Sequence, residues 1–185
     1  MARASIIEKY ANADAAKKVD IICKNYPNFI GIVEGYTDGL CYMIENEKAY
    51  NRTQNKGDLG VRVQSSGIHS DITANMAIAN VITKDAIRAC DFSDGVLDGV
   101  DRCEKFQTDA FTLRQMRADY ELFCKQMAIL NGSELRIFKE YLSGEKEIAQ
   151  IADEEGIMYE SAVQKLRRAK VKIKKQMVCF LEGIA

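Results

Sequence analysis

Residues 161–177, SAVQKLRRAKVKIKKQM, hold seven Lys or Arg and no acidic residue. Cations at this density, on a segment with helical spacing, fit recognition of a polyanion. Ala162, Leu166, Ala169 and Ile173 recur at steps of four, three and four, which makes one apolar face of a helix and sends the bases to the others. Tyr159, Glu160, Val163, Gln164 and Arg167 fall on the leading exposed side. Gln and Arg suit adenine and guanine edges in the major groove, so these five are the candidate base contacts. Lys165, Arg168, Lys170 and Lys172 are the candidate phosphate contacts, which neutralise the backbone and position the protein without reading sequence. A membrane surface would require a bulkier apolar face than Ala, Leu, Ala and Ile provide, so no membrane partner is expected.

The basic segment stands out against the rest of the chain. The 185 residues carry a net charge of −1, yet outside 161–177 only 19 basic residues face 27 acidic ones, a balance of −8. Such segregation marks a local surface made for an anionic partner.

Other chemistries lack their parts. His69 is the one histidine and stands in a polar stretch, and Ser65-Ser66-Gly67 lacks the strand-turn-helix elbow of a hydrolase nucleophile. No Gly-rich phosphate loop of the Walker type is present. The six Cys, at 23, 41, 90, 103, 124 and 179, have no two-residue spacing of a metal knuckle. The reading is therefore a non-enzyme with no catalytic residues, no metal and no cofactor. The thiols are expected to be reduced, in the cytoplasm, and to serve as small core hydrophobes. No run approaches the ~20 apolar residues of a spanning helix. Charges interrupt the first twenty residues, so no signal peptide is expected.

One Pro in a chain that is 47% hydrophobic predicts an all-α fold. Ile7, Ala11, Ala15, Val19 and Ile22 form a weak stripe ending before Pro27. Phe29, Val33, Tyr36, Leu40 and Met43 form a better one, interrupted by Gly31, Gly35 and Gly39, which would let another helix pack close. Residues 51–70 read as a loop. Ser70 or Thr73 would cap a helix with Ala74, Ala77, Ile78, Val81 and Ile82 on one side. The acidic stretch 91–101 reads as a frayed helix or connector. Leu113, Met116, Tyr120, Phe123 and Met127 make the cleanest stripe, a core face or a helix–helix seam, with Asn131-Gly132 as its stop. Two parts result: a helical region, 1–130, and a domain, 131–185, that carries the basic segment.

Within 131–185, Ser133 would cap a short helix bearing Leu135, Phe138 and Leu142, and Ser143-Gly144 would turn the chain. A second helix has Ile148, Ile151 and Ala152 as its apolar side, and Gly156 supplies a left-handed turn before the basic helix. Two short helices joined by a Gly turn, the second one basic, form a helix-turn-helix pattern.

The segment LSGEKEIAQIADEEGIMYESAVQKLRRAKVKI resembles the promoter-reading C-terminal helix-turn-helix of bacterial sigma factors. Ile151-Ala152, Gly156-Ile157 and Leu166-x-Arg168-Ala169 align with the family's spacing without a gap, over about 45 residues. LuxR-type regulators share much of this pattern. Glu155 stands where the family carries an apolar residue, and Met158 where it carries a Ser or Thr cap. Over the whole chain the resemblance is to sigma-like regulators of phages and prophages, the ArpU/RinA type. It implies double-stranded DNA as partner and control of late phage genes.

Two other readings stand beside it. A sigma factor or polymerase accessory factor would bind RNA polymerase, with 91–109 as the surface to test. A packaging protein of the small-terminase kind would oligomerise through the N-terminal helices, with the 113–127 stripe as the seam.

Overall fold

The computed structural model describes residues 5–54 and 72–183. Every regular element among them is helical: α1 (Ile6–Ala11), α2 (Ala15–Asn25), α3 (Phe29–Gln54), α4 (Ile72–Ala89), α5 (Cys103–Gln126), α6 (Gly132–Ser143), α7 (Ile148–Glu154) and α8 (Tyr159–Leu181). Short 3-10 turns at Tyr26–Asn28 and Met127–Ile129 join α2 to α3 and follow α5. The fold is all-α, and among the described residues no helix is long and apolar enough to cross a membrane. His69, Ser70, Ser65-Ser66-Gly67 and most of the 51–70 segment read as a loop lie outside the described residues, while α3 itself continues to Gln54.

The contacts fall into two units, one made of 5–32 with 115–183 and the other of 33–114. This grouping runs differently from a division at residue 130, because α2 and the end of α5 join the C-terminal helices.

In the first unit the N-terminal stripe is two helices, not one. Asp14 breaks it, accepting a hydrogen bond from the Lys17 N–H at 2.7 Å and so capping α2. Ser5 and Glu8 form a reciprocal box at the start of α1. Val19 and Ile22 of α2 are buried, as are Phe123, Ile137, Phe138, Ile151, Ala162, Ala169, Ile173 and Met177. Phe29 stacks on Tyr120 with centroids 5.2 Å apart, and Phe123 meets Phe138 at 6.3 Å.

The second unit holds α3 and α4 antiparallel. Arg88 reaches Glu34 at 2.9 Å, Lys84 reaches Asp38 at 2.8 Å, and the Cys41 thiol faces the Asn80 carbonyl at 3.6 Å. Thr83, Ala86 and Ile87 are the buried side of α4. The apolar side drawn through Ile78, Val81 and Ile82 is instead exposed. A Cβ added at Gly31, Gly35 or Gly39 would meet nothing within 4 Å, so these glycines do not serve close helix packing. Residues 91–101 form a connector of turns, pinned where Glu47 accepts the Asp101 and Arg102 N–H groups at 2.8 and 3.0 Å.

Along α5 and the turn that follows it, Leu113, Met116, Phe123 and Met127 are at most 3% exposed and Tyr120 is half-buried. That stripe is core within the chain. All six thiols are free; Cys41 is buried, whereas the other five are only half-buried, at the edges of the core.

Candidate nucleic-acid interface

The helices that carry the candidate surface begin at Asn131. Asn131 does not end a helix; its side chain accepts the Glu134 N–H at 2.8 Å and caps α6. Ser133 therefore sits inside the first turn and is not the cap. The preceding helix stops instead through the 3-10 turn and an extended Leu130. Gly144, at φ +70°, ends α6 as expected.

α7 starts where the Glu147 N–H donates to Gln150 Oε1 at 3.0 Å. It ends with the Ile157 and Gly156 N–H groups donating back to the Ala152 and Asp153 carbonyls at 3.0 and 3.2 Å. This closure requires Gly156 at φ +62°. The chain then enters α8 at Met158, which occupies the cap position with no side-chain hydrogen bond. Glu155, the other departure from the sigma pattern, is satisfied by Arg136 of α6 at 2.9 Å. α6, α7 and α8 all pack against one another. The α8 stripe through Ala162, Leu166, Ala169, Ile173 and Met177 is buried against its neighbours.

Burial of that stripe decides which α8 side chains face outward. Glu160, Gln164, Arg167 and Arg168 are exposed, and Tyr159 is 53% exposed. Val163 is half-buried toward the packed side. Gln164, Arg167, Arg168, Val171 and Lys172 line one shallow open depression on the outer face of the helix. Val171, 60% exposed, also belongs to this face; its seven-residue offset from Gln164 is the sequence signal that places it there.

The candidate phosphate contacts divide. Lys165, Arg168 and Lys170 have no ion-pair partner among the described residues, and neither do Arg167 and Lys175. Lys172 does: its Nζ donates to Glu134 Oε2 at 2.9 Å, and the Glu134 side chain is only 8% exposed. Lys174 is also engaged, 2.7 Å from Asp20 of α2. Neither tie could be read from the sequence, because the partners lie 38 and 154 residues away.

Half of the acids in 131–160 are engaged in ion pairs, Glu134 with Lys172, Glu155 with Arg136, and Glu140 and Glu154 with Lys146. Lys146 binds Glu154 and lies 3.6 Å from Glu140. Among the described residues no three His, Cys, Asp or Glu side chains are placed to hold a metal ion.

Comparison of the chain with known protein families, with curated proteins and with solved structures finds no match.

Proposed function

We propose that this protein binds duplex DNA through the outer face of α8 and regulates transcription, as its resemblance to sigma-like phage and prophage regulators implies. One observation carries the reading. Five of the seven bases in 161–177 have no ion-pair partner among the described residues, on an exposed helix in a chain whose remainder is acidic. A helix of this kind fits the major groove, and its unpaired cations release counterions from the backbone. Gln164 and Arg167 are the base readers; Arg168, Lys165 and Lys170 hold phosphate.

The test is fluorescence anisotropy of labelled duplex DNA with the full chain across a salt series. The reading requires tight binding at low salt and a steep negative slope of log affinity against log salt. It also requires that Arg168→Ala weaken all sequences alike and flatten that slope by about one unit. No binding at low salt overturns it.

A further inference from the structure

The packing of α2 on α8 extends the basic surface beyond the helix-turn-helix segment. Asp20 of α2 meets Lys174 at 2.7 Å. Three residues further along α2, the Cys23 thiol feels the charges of both Lys170 and Lys174. Advancing along α2 therefore means going backward along α8, so the two helices run antiparallel. In that register Lys24 stands level with Lys170 and Arg167, and Lys17 stands level with the turn after Lys174.

Both lysines are exposed, on the same edge of α2, where with Asp20 and Ile21 they line a shallow groove that α2 shares with Lys9, Asn12 and Ala13 at the end of α1. Arg167, Lys170 and Lys174 follow one another at three and four, which places them along the α8 edge that faces α2. The opposite edge of α8 carries Lys165, Arg168 and Lys172, of which Lys172 is tied to Glu134 of α6. Each edge of α8 thus keeps two bases without ion-pair partners among the described residues, Arg167 and Lys170 on the α2 side and Lys165 and Arg168 on the other.

We propose that α2 is part of the DNA-binding surface, with Lys24 and Lys17 contacting phosphates of the strand that passes along the α2 edge of α8. Lys172, in contrast, is a structural tie and contacts no phosphate. This inference rests on the reading of α8 as the DNA-binding helix. Lys24 has no ion-pair partner among the described residues. Lys17 is paired with Asp14 at 2.9 Å, but both side chains are more than half exposed. A surface pair of that kind exchanges readily for a phosphate. Asp20 acts as a restraint, because it occupies Lys174, the charge nearest the junction of the two helices.

The experiment measures the salt dependence of duplex binding by the full chain and four variants: Lys24→Ala, Lys17→Ala/Lys24→Ala, Asp20→Asn and Lys172→Ala. The single and double lysine variants are expected to flatten the slope by about one and two units, respectively. Asp20→Asn is expected to steepen it by about one unit, since it frees Lys174. Lys172→Ala is expected to keep the wild-type slope while lowering the thermal midpoint. Circular dichroism of each variant shows that the helices persist. If wild type binds steeply and Arg168→Ala flattens the slope, yet the α2 variants keep the wild-type slope, the α2 contact is refuted and the α8 reading stands. If wild type binds no duplex at low salt, both fall together.

Discussion

The Tyr10 hydroxyl donates to Asp119 Oδ2 at 2.8 Å, across 109 residues of sequence, and both residues are buried. This bond fastens α1 to α5 within the first unit, with the Lys18 ammonium 5.4 Å above the Tyr10 ring. Tyr10→Phe removes the donor and leaves a buried carboxylate short of a partner, at a cost of about 1–3 kcal/mol. Urea unfolding measures it, and an unchanged midpoint would show the bond to be dispensable.

The same pair makes stability depend on pH. Burial raises the Asp119 carboxyl above its ordinary range, against the opposing pull of the Tyr10 hydrogen bond and the Lys18 charge. A carboxyl raised in the folded chain binds its proton more tightly there than in the unfolded chain. Its stabilising contribution is complete below the unfolded value of about 4, and it is lost as pH rises through the raised value. Asp119→Asn keeps an acceptor for Tyr10 and cannot ionise. The variant should therefore gain on wild type as pH rises through that window. Parallel stability curves would contradict this account.

Lys172→Ala strands Glu134, which is 8% exposed in its side chain, beside the α6–α8 contact. Lys172 itself is half in water, so the loss falls below that of a fully buried pair, at about 1–2 kcal/mol. Glu134→Gln in the Lys172→Ala background should recover part of it. Chemical denaturation of the single and double variants decides the matter.

Two glycines should respond in opposite directions. Gly156→Ala places a Cβ in open space but at φ +62°, so backbone strain alone costs about 1–2 kcal/mol. Gly35→Ala lies inside α3, also with nothing within 4 Å, and should stabilise by about 0.5–1 kcal/mol. Thermal unfolding of both reports the signs.

A chain ending at Asn131 loses α6, α7 and α8, and with them the partners of α2 and of Phe123. It should retain helical circular dichroism but lose a cooperative transition for the first unit. A sharp transition would show that 1–131 folds without the C-terminal helices. For the same reason, point substitutions on α8 separate DNA binding from folding better than deletion does. Gln164→Ala illustrates this, since its exposed side chain should change base preference and leave stability within about 0.5 kcal/mol.

Much of the C-terminal region was legible from local pattern. The apolar steps at Ala162, Leu166, Ala169 and Ile173, the turn at Ser143-Gly144 and the left-handed position at Gly156 depend on helical periodicity and on backbone sterics within a few residues. The α5 stripe was legible in the same way, and burial of Leu113, Met116, Phe123 and Met127 followed.

Elsewhere local pattern pointed the wrong way. Ile78, Val81 and Ile82 look like a core face, yet α4 turns Thr83, Ala86 and Ile87 inward, with Arg88–Glu34 and Lys84–Asp38 flanking its contact with α3. Asn131-Gly132 reads equally well as a stop or a start, and only the bond from the Glu134 N–H decides that it starts α6.

By itself the sequence determined an all-α chain and a charge-segregated helix, since periodicity and net charge are sums over neighbours in the chain. The tertiary structure decided which of those charges remain available. Lys172 and Lys174 are occupied by Glu134 and Asp20, carboxylates brought near only by folding. An ion pair depends on distance in space, and residues 38 or 154 positions apart come within reach only once the helices pack.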